Sequence, residues 1–501
     1  MEFRIRNRGI LIGLVGIVVL FSACKKEDVS TEITQEGDTS VVDDTEEHSF
    51  DINSIRDTYS SIAAAQFQDQ WSVYNVHDPS IKKFGAYYYC FSTDVAFGEE
   101  IRPGIQVRRS KDLVEWHFQG WAFSDIPSEA RDFIKQHGGQ SFNAIWAPYV
   151  LKVNDEYRLY YSLSSSTPRL SVIGLAVASS LEGPWTQRGL VVESLNDNSV
   201  QTNAIDPSVV VTPSGEEYMY YGSAWDGIYV LKLDPTTGLA ADEGDIGKRV
   251  VVRGTTNGQV NGNIEAPEII YNDSIGKYYL FMSYDWLETK YNVRVGRSNN
   301  PEGPFIDFKG DDMNVPEDHF PMILAPYQFN GHGGWQGTGG EAVFSDKHGN
   351  YFMGHNARPS VNKYFMDLHI RKIFWTQDGW PVVSPERYAW EGNHLVAQDS
   401  IIGEWEQIIL GYQVVPGYEN EQTDPDLQQS VSLSINADGA LNDDPASTWT
   451  YNAPWLIMNW GNGFTDKVFV QKGRDWENHS ETVIFSGLNN DGTAIWGKKS
   501  N

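Results

Sequence analysis

Between about residues 70 and 390 the apolar positions come in short stretches that are dense in aromatic rings and broken by Gly, Asn and Asp, with almost no helical spacing sustained over several turns. That pattern predicts short strands joined by turns. Four strand stretches are near-copies: G-A-Y-Y-Y-C-F-S-T (Gly85 to Thr93), D-E-Y-R-L-Y-Y-S (Asp155 to Ser162), E-E-Y-M-Y-Y-G-S (Glu216 to Ser223) and G-K-Y-Y-L-F-M-S (Gly276 to Ser283). A phrase built on a proline precedes each: V-H-D-P-S-I (Val76 to Ile81), I-W-A-P-Y-V (Ile145 to Val150), A-I-D-P-S-V (Ala204 to Val209) and I-E-A-P-E-I (Ile264 to Ile269). Their prolines lie 69, 59 and 60 residues apart, and a fifth copy, E-A-V-F-S-D-K-H-G-N-Y-F-M-G-H (Glu341 to His355), lacks the proline. Regular recurrence at this length means one supersecondary unit per repeat. Five such units arranged radially predict an all-β fold, a five-bladed β-propeller over residues 53–397; a linear solenoid would want a shorter period.

In a propeller the innermost strand of each blade borders the axis, and here the proline phrase opens each repeat. Asp78, Trp146, Asp206 and Glu265 are therefore expected around one funnel. Any single Asp-Pro is explained by turn chemistry, in which Pro fixes φ and Asp bonds the local backbone. Three carboxylates in one cavity are harder to explain that way, because like charges raise one another's pKa. Such a set suits hydrolysis of a glycosidic bond, with one carboxylate deprotonating water, one giving a proton to the leaving oxygen, and a third holding the donor's pKa high.

The formal net charge of −29 excludes nucleic acid and anionic polysaccharides as partners, since a field of that sign repels them. A neutral ligand fits. Aromatic residues make up 13% of the chain, 17 of them Trp, and flat amphipathic rings serve sugar stacking as well as core packing, the second accounting for most of them.

At the N-terminus, Arg4, Arg6 and Arg8 precede an apolar run from Ile10 to Phe21, too short for a permanent membrane helix and shaped like an export signal over residues 1–23. The run ends in L-F-S-A-C (Leu20 to Cys24), which resembles the bacterial lipobox and implies lipidation of Cys24; the alternative is an ordinary secretory signal with an incidental cysteine. The K-E-D at Lys26 to Asp28 resembles the surface-export signal of Bacteroidetes lipoproteins, which implies an outer-membrane lipoprotein on the cell surface, or else on the periplasmic face. Membrane contact would then run through the lipid anchor only. Residues 24–52, acidic and poor in aromatics, read as a flexible tether. With Cys24 lipidated only Cys90 is left, so stability has to come from a packed core instead of disulfides.

The motifs V-H-D-P-S, I-W-A-P, A-I-D-P-S and I-E-A-P-E, in this order and spacing, together with F-W-T-Q-D-G-W-P (Phe374 to Pro381), resemble family 43 of the glycoside hydrolases, the five-bladed arabinanases and their relatives. The resemblance implies Asp78 as general base, Asp206 as pKa modulator and Glu265 as general acid, acting with inversion. Glu268 lies in the same strand, but two-residue alternation and the family pattern favour Glu265 at the axis. His77, Trp146, Asn203 and Trp225 are expected to bind substrate, Trp146 by stacking; His77 is equally readable as a satisfied inner-strand histidine and Trp225 as core. Arabinanases of this family often carry G-P-G-H in the fifth blade, where the histidine holds a hydrated calcium. This chain reads G-T-G-G (Gly337 to Gly340), so the metal ligands are unknown, His332 and His355 being the candidate substitutes. The chemistry requires no cofactor; Ca2+ in the channel is an open expectation.

From about residue 398 the repeat stops and Trp-rich strands follow: G-E-W-E-Q-I-I-L, S-T-W-T-Y-N, W-L-I-M-N-W and G-T-A-I-W-G-K-K. Residues 398–501 are expected to form a small β-barrel, similar to that of two-domain arabinanases, bracing the propeller in preference to binding glycan. The resemblance points to a monomer that cuts internal α-1,5-L-arabinofuranosyl links of plant cell-wall arabinan. The alternatives are an exo-acting arabinofuranosidase or β-xylosidase, and a surface lipoprotein that captures glycan without cleaving it.

Overall fold

The computed structural model describes residues 48–411 and 422–500, save Gly254, Asn257, Gly258, Asn261, Gly262 and Lys347. The export signal, Cys24 and most of the tether lie outside these residues. No described helix is long and apolar enough to cross a membrane. His48, within the stretch read as tether, stacks on Trp390 with ring centroids 3.9 Å apart, so the last of those residues pack on the propeller.

Five sheets form the blades, antiparallel save for a parallel pairing of Tyr327–Gln328 with Gln428–Gln429 in the fifth. Their innermost strands are Ser80–Phe84, Trp146–Val153, Ser208–Val211, Ile264–Asn272 and Trp335–Ser345. In each of the first four blades the strand order in space follows the chain, inner to outer, as hairpin connections dictate. The aromatic stretches read from the sequence are the second strands, Tyr87–Ser92, Glu156–Leu163, Glu217–Tyr221, Lys277–Tyr284 and Tyr351–Pro359. Their rings fill the spaces between blades: Tyr160, Tyr161, Tyr220 and Tyr221 are among the largest fully buried side chains. The ring is tied shut where the segment before blade one meets blade five, Leu368 N–H donating to Val73 O at 2.7 Å and Val76 N–H to Met366 O at 3.2 Å.

The proline phrases share an unusual backbone. Asp78, Ala147, Asp206 and Ala266, each just before its proline, have φ of 46, 39, 60 and 51°, and Gly340 in blade five has 61°. A non-glycine residue in this left-handed region is strained, and the pairing register shifts across it between Trp146 and Tyr149 and between Glu265 and Glu268. Glu341 occupies the place that proline takes in the other blades. The alignment also refines the sequence reading. Asp78 and Asp206 stand on the strained residue itself, whereas Trp146 and Glu265 stand one position earlier, level with His77, so the acids come from two registers of the same bulge.

After blade five, eight strands from Gly403–Leu410 to Ala494–Lys499 close into a barrel, its first strand pairing antiparallel with its last. Trp405, Trp449, Trp476 and Trp496 are buried. These indoles serve packing. Lys498 of the barrel reaches Glu386, 3.1 Å away at the end of the propeller, and also meets Asp475 at 3.2 Å and Glu477. Cys90 is buried and free.

Candidate active site

The second strand of each blade ends in a polar side chain that fastens the next blade's strained residue. Thr93 Oγ1 accepts the Ala147 N–H at 2.8 Å, Ser162 Oγ that of Asp206 at 3.1 Å, Ser283 Oγ that of Gly340 at 2.9 Å, and Asn356 Oδ1 that of Asp78 at 3.4 Å. Blade three breaks the rule. Ser223 instead donates to Oε2 of Glu265 at 2.6 Å, and the Ala266 N–H goes to Oδ2 of Asp206 at 3.0 Å. The exception joins two carboxylates through one backbone amide. These hydroxyls were visible in the sequence as the repeated terminal Ser or Thr of the aromatic strands, a signal the motif reading passed over.

Asp78, Asp206 and Glu265 do converge at one mouth. Oδ2 of Asp78 accepts from the Thr93 hydroxyl at 2.7 Å and lies 2.8 Å from Nδ1 of His77. Burial opposes its ionisation, but His77 and Thr93 outweigh burial and hold the carboxyl below the usual range. Asp206 is pushed well above that range, by burial first and then by the charges of Glu265 and Asp78, with the Ala266 N–H opposing. Glu265 is raised too, chiefly by burial, while the hydroxyls of Ser223 and Tyr291 pull it back. The mouth thus favours the charged form of Asp78 and the neutral forms of Asp206 and Glu265.

Tyr291 was not singled out from the sequence, and nothing in the motif grammar marks it. It is buried just before the third strand of blade four (Asn292–Ser298), and its hydroxyl donates to Oε1 of Glu265 at 2.8 Å. Glu268 faces down the channel as a structural residue, paired with Lys82 at 3.2 Å and accepting from Ser208 at 2.8 Å and Val343 N–H at 3.2 Å. Strand alternation does not separate the two glutamates: the bulge between them sets Glu265 opposite Ser283 and Glu268 opposite Phe281, two positions apart on one face, so both look into the channel and differ in depth and in partners.

The other expected binding residues divide. His77 is not a satisfied core histidine, because its Nε2 is buried without a partner. Trp146 is half-buried and stacks on Phe142, centroids 5.0 Å apart and planes 24° apart; Phe142, 38% exposed, extends that aromatic wall and was missed. Trp225 is 44% exposed and so is not core; the guanidinium of Arg169 lies 5.6 Å from its ring, and the Ala224 N–H donates to Ile264 O, which seats it beside the strand of Glu265. Asn203 holds its loop, its N–H donating to Ser223 O at 3.3 Å and its Oδ1 accepting from Ser194 at 3.5 Å.

The two histidines considered as metal ligands are committed elsewhere. His355 is buried, with Nδ1 2.9 Å from Asn356 O and Nε2 accepting from Arg371 at 3.0 Å. His332 bonds Asp57 at 2.8 Å and accepts from the Gly334 N–H. Neither replaces a histidine at Gly340, and Gly340 itself has no room for one: a Cβ there would lie 2.5 Å from Oδ1 of Asn356 and 2.9 Å from Oδ1 of Asp78. Below the mouth, a void of about 30 Å³ is lined by Asp78, Asp206, Glu268 and Glu341. Glu341 accepts from Ser283 at 2.6 Å, its Oε1 is buried without a partner, and burial pushes its carboxyl up to about 8. Such an orphaned hard oxygen suits water or a hydrated cation.

A propeller whose mouth sets a carboxyl held below its usual range against two raised above it has the equipment of a glycosidase. The chain belongs to glycosyl hydrolases family 43, whose profile it matches over residues 72–381, and a C-terminal lipocalin-like domain of that family matches residues 385–497. It is 30% identical to an extracellular endo-α-(1→5)-L-arabinanase of Thermotoga petrophila, over 85% of this chain and 94% of that one. A Bacillus subtilis extracellular endo-α-(1→5)-L-arabinanase is 27% identical over 85% and 93% of the two chains. The crystal structure of the Thermotoga petrophila enzyme in complex with Tris superposes with a TM-score of 0.73 at 28% identity, covering 86% of this chain and 99% of that one.

Proposed function

We propose that the protein cleaves internal α-1,5-L-arabinofuranosyl links of arabinan with inversion. The observation that carries the reading is the electrostatic split at the mouth: Asp78 held below the carboxylate range, Glu265 and Asp206 raised above it. Asp78 takes a proton from water as its oxygen attacks the anomeric carbon. The bond to the leaving oxygen breaks, and Glu265 protonates that oxygen. Attack from the face opposite the leaving group inverts the centre. Asp206 fixes, through the Ala266 N–H, the backbone that carries Glu265, and the repulsion between the two carboxylates disfavours ionising both at once, which is its role as pKa modulator. The proton then returns from Asp78 to Glu265 through solvent. A divalent cation in the channel would meet Glu341 and supply positive charge beneath Asp78; no step above runs through it.

Endo action is favoured over exo action because the relatives matching both propeller and barrel are named endo-arabinanases. The relatives' extracellular naming and the Leu20 to Cys24 motif support export with a lipid anchor at Cys24, most simply on the outer membrane facing outward. The test is the product profile of residues 52–501 on linear α-1,5-arabinan, with xylan in parallel. A ladder of mixed oligosaccharides is expected. Arabinose alone from the start would replace the endo reading by an exo one, and products from xylan only would overturn the substrate.

A further inference from the structure

Where blade five meets the barrel, the surface forms a groove of about 230 Å³, far from the three carboxylates in sequence and sharing no residue with them. Its propeller wall carries Tyr351 and Phe374; its barrel wall carries Phe469, stacked on Phe374 with centroids 4.6 Å apart and planes 11° apart. Leu395, 70% exposed, forms part of the rim. The groove exists only because the two domains meet.

Gln471 also lines it. The residue is 4% exposed, what exposure it has opens onto the groove, and its amide bonds no described residue. An amide free of protein partners and facing a groove has its hydrogen-bonding capacity available to water or a ligand. Its neighbours are already committed: Lys372 donates to Glu391 O at 2.6 Å and to Asn393 Oδ1 at 3.2 Å, and Asn393 donates to Asn350 Oδ1 at 2.9 Å. What is left to a ligand is one amide, which both donates and accepts, beside apolar and aromatic surface. That combination matches an uncharged sugar ring, which offers adjacent hydroxyls to an amide and a C–H face to apolar side chains.

We propose that this groove is a second, non-catalytic site for a neutral pentose oligosaccharide, with Gln471 bonding ring hydroxyls and Tyr351, Phe374 and Leu395 receiving the apolar face. The volume is below the ~300–1,000 Å³ of sites that enclose a whole drug-sized ligand, so it holds one or two rings of a longer chain. Taking arabino-oligosaccharide as the ligand rests on the proposed function. A second grip on the same polymer raises the local concentration of links at the mouth, in proportion to how well the span matches.

The test is calorimetric titration of linear arabinohexaose into full chain carrying Glu265→Gln, which keeps the mouth but blocks turnover. Two equivalents are expected. Adding Gln471→Met, close in volume and cutting no protein hydrogen bond, should leave the melting temperature unchanged and reduce binding to one equivalent. In the active enzyme, Gln471→Met alone should raise KM severalfold on long arabinan while leaving kcat and short-substrate kinetics as they were. A single equivalent in Glu265→Gln overturns the proposal, as do two equivalents that survive Gln471→Met, or a Gln471→Met effect seen only as a change of oligomeric mass by ultracentrifugation. Parallel titration with xylohexaose separates the two readings: a Gln471-dependent second equivalent of the xylan sugar, with activity on xylan only, would sink arabinan as substrate and leave the groove standing.

Discussion

The hydroxyl of Tyr291 donates to Oε1 of Glu265 at 2.8 Å, while the Ser223 hydroxyl takes the other oxygen at 2.6 Å. A hydrogen bond to the carboxylate form lowers its pKa, so these two hydroxyls limit how far burial raises the acid. Tyr291→Phe should therefore move the alkaline limb of kcat/KM, where the acid loses its proton, to higher pH. It should also lower kcat about tenfold, the equivalent of a lost bond to a charged group at ~1.5 kcal/mol. A pH–rate profile separates this from a packing defect, which would lower activity without moving the limb.

His77 acts on the opposite limb. It opposes the burial of Asp78, so His77→Gln should raise the pKa of the base and shift the acid limb upward by about one pH unit, the low end of the effect of a close charge partner. The stability sign follows. Asp78 titrates lower folded than unfolded, so its contribution is present above the unfolded carboxylate range and fades as pH falls. In His77→Gln that contribution shrinks, and a denaturation series from neutral to acid pH should show the variant's deficit narrowing as pH drops.

Glu265→Gln and Asp78→Asn should each cut turnover about a hundred- to ten-thousandfold, as for loss of a general acid or base. Glu265→Gln neutralises a carboxyl that folding pushes up, so its melting temperature should equal or exceed that of the parent, whereas Asp78→Asn gives up a charge that His77 and Thr93 stabilise and should melt somewhat lower while staying folded. Loss of activity accompanied by unfolding, read by circular dichroism, would argue against these roles.

Gly340→Ala should destabilise by at least ~1–2 kcal/mol, the cost of a side chain in the left-handed region, because its φ is 61° and its Cβ would meet Asn356 and Asp78. Since the clash pushes on the base, activity should fall further than stability does. Urea denaturation alongside kcat measures both.

Lys498→Met should cost ~3–5 kcal/mol, because Glu386, Asp475 and Glu477 would be left buried without their cation. The folded pKa values of those carboxyls would then lie above their unfolded values. The variant's missing stability should therefore return as pH falls below the carboxylate range and be greatest near neutral pH.

How much of this was legible depended on whether the signal lay along the chain or across it. The five repeats and the Trp-rich strands of the barrel follow from periodicity, because side-chain alternation is a local property of a strand, whereas the bulge that sets Glu265 and Glu268 on one face breaks that alternation and left no mark in the pattern. Phe142, Tyr291 and Gln471 carry no such mark. Each matters through what faces it: Trp146, Glu265, and an open groove.

The sequence by itself determined the propeller, the barrel, the three acids and their convergence, since repeated hydrophobic patterns specify repeated units and equivalent positions in a ring must meet at the axis. Only the tertiary structure decided which acid is pushed below its usual range and which two are raised above it, that Gly340 has no room for a histidine, and that the Gln471 amide faces a groove. Those outcomes depend on distances of a few ångströms across the fold, such as Ala266 N–H on Asp206, 60 positions away, and Tyr291 on Glu265, 26 away. Burial and hydrogen bonding at such contacts set proton affinity and free space, and no pattern along the chain encodes them.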